Sequence, residues 1–368
     1  MPTIRQVDAE QIISRLSDLE QLESQFDELP GPRCVIISAG FEPRIRSFFD
    51  SFTFRDDDRL LVIKYPEFSE PFVKDILEKK SDAKILNFDE SNISPELQRY
   101  FAELGTERYS TILDISGMAS VAMFPVLFAI FKNREQDSIS IVYTEANEYG
   151  PSKSDWDTFY QSIESPSDNI QVADKYLEVN FQSVGVSTVF SSPIFPGVNE
   201  KRLPSKVVAI PSFALERMKA KIAHCYDKYG ANPEETVWLL GKPPSNQNNW
   251  RLDALTKLYS PSQSSETMYP VSTRTYQEVF RVLEDVWQDH KNSHHLLIAT
   301  NASKMQNLSL FLFLWMRGTV GLILSRPKTY EPVKYSAGTG PKWWLSLGKV
   351  LDLRNSLEQV DNLIFHWD

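Results

Sequence analysis

The residues best suited to chemistry in this chain stand in short polar turns that follow apolar runs. "SAGFEPR" supplies Ser38, Gly40 and Arg44, and a later counterpart, "PSFALER", supplies Ser212, Glu216 and Arg217. A small-residue turn opening into a helix with an arginine suits a phosphate, because the first helical N–H groups are unsatisfied and carry partial positive charge. Lys64 in "IKYP" and Lys242 in "GKPP" end two other apolar runs just before a proline, where a lysine acts as a point charge for phosphate. "DISGMAS" holds Ser116, Gly117 and Ser120, and "TNASKM" holds Asn301, Ser303 and Lys304. The candidate ligand residues are thus Ser38, Arg44, Lys64, Ser116, Gly117 and Ser120, with Lys242, Asn301, Ser303 and Lys304 as a second set. The same residue types serve equally well as helix caps with no ligand.

Other chemistries find less support. Asp114 lies inside one apolar run and Glu145 follows the next, so an acid–base pair is conceivable there, but Asp114 has Ala299 as its counterpart in the second set. The five histidines, His224, His290, His294, His295 and His366, form no HExxH and no Cys/His spacing, so no metal site is expected. Cys34 and Cys225 are too few for a disulfide framework and read as buried small apolar residues. No GxxxxGK[ST] occurs and no GxGxxG follows an apolar run. "SAGTGPK", from Ser336 to Lys342, is read as a loop over a cleft. No cofactor is expected.

These turns need elements to hold them. At 368 residues, with 42% hydrophobic, 24% charged and 12% aromatic content, the chain is globular and long enough for two domains. A net charge of −10 excludes a broad non-specific nucleic-acid surface, although not a local basic pocket. "MPTIRQVDAEQIISRL" lacks the apolar core of a secretory signal, and the most apolar helix candidate, from Met305, is too short to span a membrane. A cytoplasmic protein is expected.

Residues 1–30 read as an acidic helical segment that stops at "PGP". Residues 31–151 then alternate continuous apolar runs with amphipathic stretches, the pattern of parallel strands covered by helices. Residues 152–205 read as a linker in which "FQSVGVSTVF" is a strand or hairpin. The alternation resumes over 206–368, whose end is taken as an extension of a second domain, and Trp343, Trp344 and Trp367 there read as core or interface aromatics. The expected fold class is α/β, with two tandem doubly wound, Rossmann-like parallel-sheet units arising from an internal duplication. Matching features recur in the same order: Lys-Pro after the second strand, the small polar turn after the fourth, and Tyr149 and Pro151 matched by Tyr330 and Pro332 after the fifth.

On "DISGMAS" and "TNASKM", and on this tandem architecture over Arg33 to Pro151 and Lys206 to Pro332, the chain resembles the CARF domains and the related SAVED domains. The first turn lacks the lysine usual in those families and the second lacks the glycine. The resemblance implies a sensor of cyclic oligonucleotide messengers in prokaryotic antiviral defence, its ligand lying across two Rossmann-like units. With no effector nuclease recognisable in the chain, its output would pass to a protein partner. The expectation is a non-catalytic nucleotide or phospholigand sensor. The alternatives are an assembly subunit of a multi-protein defence complex that docks through exposed aromatics, and a nucleotide-processing enzyme using Asp114 and Glu145.

Overall fold

The computed structural model describes residues 9–66, 69–89, 92–164, 183–259, 267–330 and 335–358. They divide into two compact units: one takes the chain up to Asn147 together with the stretch from Ser336, and the other takes Glu148–Tyr335.

In the first unit the apolar runs form β2 (Arg33–Ala39), β3 (Arg59–Lys64), β4 (Lys84–Asn87), β5 (Ser110–Asp114) and β6 (Ser138–Thr144). All pair in parallel, in the spatial order β4-β3-β2-β5-β6. Ranked along the chain this is 3-2-1-4-5, the doubly wound order. Every residue of β2 and β5 is buried, which explains their continuous apolar runs. The connecting helices are α2 (Ile45–Ser51), α3 (Glu70–Lys79), α4 (Ile93–Glu103) and α5 (Ser120–Asn133). Helix α5 is apolar on nearly all sides and is buried from Val121 to Leu127 and again from Ala129 to Phe131, as a helix inside a core must be.

In the second unit, β9 (Ser205–Ile210), β10 (Val237–Lys242), β11 (Met268–Ser272), β12 (His295–Thr300) and β13 (Gly321–Tyr330) repeat the order as β11-β10-β9-β12-β13. Their helices are α7 (Leu215–Tyr229), α8 (Trp250–Tyr259), α9 (Tyr276–His290) and α10 (Lys304–Met316). Helix α10 is buried throughout from Met305. Its 13 residues reach about 20 Å, short of the ~30 Å of a bilayer core. Among the described residues no helix is long and apolar enough to cross a membrane.

Each unit also carries an antiparallel strand on its fifth parallel one, covering an edge that would otherwise be open. In the second unit this is β8 (Ser183–Ser191), the strand expected within "FQSVGVSTVF", paired with β13. In the first it is β15 (Lys342–Lys349), paired with β6, and β1 (Glu20–Gln21) pairs with β15 in turn. Two-residue strands β7 (Glu148–Tyr149) and β14 (Ser336–Ala337) complete the strand set.

Three sequence boundaries move as a result. The C-terminal stretch expected to extend the second unit belongs to the first, because Trp343 and Trp344 pair in register with Tyr143 and Val142 of β6; helix α11 (Val350–Glu358) follows β15. Residues 1–30 are not one helical segment. Among the described residues of this segment only α1 (Ala9–Ile13) is α-helical, and Gln25–Glu28 is a 3-10 turn whose Phe26 packs on Phe48 and Phe52. The expected linker contains α6 (Lys153–Glu164), whose Trp156 and Phe159 are buried in the second unit's core. His366 and Trp367 lie outside the described residues.

Each unit holds a buried ion pair. Arg33 at the start of β2 reaches Asp58 through Nε at 2.9 Å and Nη2 at 2.5 Å, and it also donates to the carbonyls of Phe26 and Thr53. Its guanidinium lies 4.4 Å from the centre of the Phe52 ring. Burial alone would raise the Asp58 pKa, but the hydrogen bonds from Arg33 and the Arg55 N–H hold it below the ordinary carboxylate value. In the second unit Arg317 pairs with Glu284 at 2.5 Å and lies over Trp287. Asp58→Asn leaves a buried cation without its counter-charge, so it should cost the first unit about 3–5 kcal/mol in urea denaturation. The depressed Asp58 pKa means that its contribution is complete above the unfolded carboxylate pKa of ~4 and is lost as pH falls through the lower folded value. The variant should lack that component of acid destabilisation.

Candidate functional site

In a doubly wound sheet, ligands bind beyond the carboxyl ends of the strands where strand order reverses. That point lies between β2 and β5 in the first unit and between β9 and β12 in the second.

In the first unit the polar groups at this point are committed to one another. Arg44 is 2% exposed, with Nε 2.9 Å from Glu42 Oε2 and Nη1 3.0 Å from the Thr144 carbonyl. Ser336 donates its hydroxyl to the same Glu42 oxygen at 2.8 Å. The Arg44 charge is therefore neutralised by its own chain. Ser116 donates through both Oγ and its backbone N–H to Asp114, and its Oγ accepts from the Thr144 N–H at 2.8 Å. It ties the end of β5 to the end of β6. A Cβ on Gly117 would lie 2.1 Å from Ile45 Cγ2 and 3.1 Å from the buried Ser38 Oγ, so this glycine admits helix α2 rather than a ligand.

The helix end beside it is occupied too. The Tyr65 hydroxyl accepts from the Ala119 N–H, one residue before α5, at 2.7 Å, which meets one of the helix's free donors. Ser120, half-buried, begins the helix. Lys64 pairs with Glu70. Asp114 is held by Ser116, and Glu145 accepts from Trp343 Nε1 at 3.1 Å, so each carboxylate is engaged with a neighbour. The segment read as a loop over a cleft is bound to the end of β6: Gly340 N–H donates to the Glu145 carbonyl at 2.8 Å, and Glu145 N–H to Pro341 at 2.9 Å.

The second unit is built differently at the same place. Ser303 caps α10 in a reciprocal pair with Gln306, and its hydroxyl also donates to the Thr273 carbonyl at 2.7 Å. Gln306 donates to Ser272, and Thr273 N–H to the Lys242 carbonyl at 3.0 Å. The ends of β10, β11 and β12 are thereby stitched into one edge that carries Lys242, exposed, and Lys304, half-buried. Asn301 follows β12 and donates through Nδ2 to the Ala214 carbonyl at 3.3 Å.

Its Oδ1 accepts at 2.6 Å from the amine of Lys221, which also donates to the Thr300 carbonyl. Lys221 is 1% exposed. Burial drives its pKa well below the ordinary lysine value, and Arg217, one turn earlier on α7, acts in the same direction. Arg217 is half-buried, and its Nε is buried with no hydrogen-bond partner. Tyr259, whose hydroxyl donates to the Ser212 carbonyl at 2.8 Å, lies within electrostatic reach of Arg217. Among the described residues neither Arg217 nor Lys221 has a carboxylate partner. Sequence reasoning left Lys221 out of the candidate set. The available signal was its spacing with Met218 and Cys225 on the buried face of α7, a lysine where an amphipathic helix calls for an apolar residue.

Both cysteines are buried and free, and burial pushes each thiol pKa up to about 12, as expected of apolar residues. Among the described residues no group of three or more His, Cys, Asp or Glu is arranged to hold a metal ion.

No family model matches the chain. No curated protein matches it either. Among solved structures it is similar to the crystal structure of a ketoreductase domain from the bacillaene assembly line, at 11% identity and a TM-score of 0.19, over 82% of this chain and 68% of that one. At that score the likeness carries no argument, and the Rossmann-like assignment rests on strand order.

The close approach at Gly117 has a measurable consequence. Gly117→Ala should destabilise the first unit by about 1–3 kcal/mol through overpacking, read by chemical denaturation. Trimming Ile45 to Ala in the same chain, which removes the Cγ2 that the new Cβ meets, should recover part of the loss, whereas strictly additive effects would show that the two positions do not meet.

Proposed function

We propose that this protein is a non-catalytic sensor whose second unit binds a phosphorylated, nucleotide-type ligand at the carboxyl edge of its sheet and signals to a protein partner. One observation carries the reading: the two equivalent turns treat their arginines differently. Aligned on the arginine, "FEPR" and "ALER" set Glu42 against Leu215. Arg44 has the buried Glu42 carboxylate at 2.8 Å, while Arg217 stands one turn from the buried Lys221 amine with its Nε unpartnered. A half-buried cation without a counter-charge is costly unless an anion arrives, and a planar guanidinium is well matched to phosphate.

The surroundings agree with an anionic ligand. At the carboxyl edge of the first unit Arg44 is already paired with the buried Glu42, and Asp114 is buried as well. The same edge of the second unit holds Lys242 and Lys304 beside the α10 N-terminus. The resemblance to CARF and SAVED domains makes cyclic oligonucleotides the first ligands to try, with antiviral defence as the setting. Asp114 and Glu145, each engaged by a neighbour, favour sensing over turnover.

The full chain should be stabilised in thermal-shift assays by at least one member of a panel of cyclic di-, tri- and oligonucleotides and linear nucleotides. Ligand at ~100 times its dissociation constant adds about 2.7 kcal/mol. Arg217→Ala should remove the effect, and Lys242→Ala should weaken it. A folded sample indifferent to the whole panel would sink the proposal.

A further inference from the structure

We infer that Arg217 and Lys221 form an oxyanion subsite that acquires charge when it is filled, the bound anion drawing a proton onto the Lys221 amine. The inference rests on the reading that the second unit binds a phosphorylated ligand, and it assigns the group that is held and a property of the holding.

The geometry begins with the amine. Lys221 Nζ is sequestered on the inner face of α7 and donates to two neutral acceptors, the Thr300 carbonyl and Asn301 Oδ1. Those contacts satisfy an amine without requiring a positive charge. A turn earlier on the helix, the buried Arg217 Nε has nothing to donate to. Nε is one arm of the fork with which a guanidinium grips two oxygens of a tetrahedral anion. An oxyanion gripped there sits one helical turn from Lys221, whose amine already feels the Arg217 charge.

The charges around Lys221 favour such a response. On its own helix, Arg217 opposes protonation and Cys225, its thiol pKa raised by burial, weakly favours it. From the β12 turn, Thr300 and Asn301 are uncharged. From α8, Tyr259 stays a neutral phenol, since burial raises its pKa. Strands β8, β9 with Lys206, β13 with Arg326 and Lys328, and the 3-10 turn Pro233–Glu235 with Glu234 and Glu235 also pack on α7, and the charges acting on the amine are those of Arg217 and Cys225. In the unfilled site the amine's pKa therefore lies well below the ordinary lysine value, through burial and Arg217. A bound anion stabilises the ammonium and raises that pKa. Between the two pKa values binding takes up a proton, so affinity falls as pH rises through that window, and below it the dependence vanishes.

Sulfate tests the subsite without a titration of its own near neutrality. Calorimetry of sulfate binding to the full chain, in two buffers of different ionisation enthalpy at each of a series of pH values from neutrality up to the ordinary lysine range, should show a window of net proton uptake on binding. Arg217→Ala should weaken binding about tenfold or more, the loss expected for a charge-assisted bidentate contact. Lys221→Met should bind sulfate with no proton uptake. Binding without proton exchange in the unmutated protein would overturn the inference, as would undiminished affinity in Arg217→Ala or failure to bind sulfate. The measurement on the unmutated chain decides even if Lys221→Met does not fold. Sulfate binding with proton uptake but no response to any nucleotide would uphold the subsite and reject the nucleotide reading.

Discussion

Parallel pairing of each unit's first strand with its fourth is the constraint from which the rest of the structure follows. Ile36 sits against Leu113 in one sheet and Val208 against Ile298 in the other. Parallel strands must be joined by crossovers that place helices on both faces, so the central strands lose contact with water and every turn after them collects at one edge. Whatever polar groups stand in those turns must then be satisfied there, in a crowded and poorly solvated place.

The two units meet that demand by different means. The first closes its edge internally: Glu42 neutralises Arg44, Asp114 holds Ser116, Ser116 holds Thr144, and Tyr65 meets the N-terminus of α5. The second stitches its strand ends through Ser303, Gln306 and Thr273, and its Arg217 and Lys221 on α7 have no carboxylate partner among the described residues. A shared fold therefore carries an arginine paired with a carboxylate at this edge of the first unit and, among the described residues, an arginine without one in the second. The difference traces to few substitutions, chiefly Leu215 where the first copy has Glu42 and a lysine on the buried face of α7.

Much of the fold was legible because its signals are local. Ten apolar runs became the ten parallel strands, and "FQSVGVSTVF" supplied β8, since burial on both faces writes itself directly into composition. The candidate turns were legible for the same reason. Their partners were not. Whether Arg44 meets solvent or Glu42, whether Ser116 meets a ligand or Asp114, and whether Gly117 clears a path or admits Ile45 depend on how these turns are closed by distant residues, such as Thr144 on Arg44 and Ser336, 294 positions on, on Glu42. Lys221 was hidden by the strength of its own pattern, an amphipathic helix in which lysines are ordinarily solvated.

By itself the sequence determined the class of fold, the repeat of one strand–helix plan and the edge at which polar turns gather, because periodicity and burial are carried by neighbouring residues. Only the tertiary structure decided that β15 returns to the first unit's sheet and that 153–164 packs in the second unit's core. It alone decided, too, that one arginine is neutralised while its counterpart is not. Strand addition and charge pairing join segments far apart in the chain, and their free energies depend on register, burial and distance, which exist only once the chain has folded.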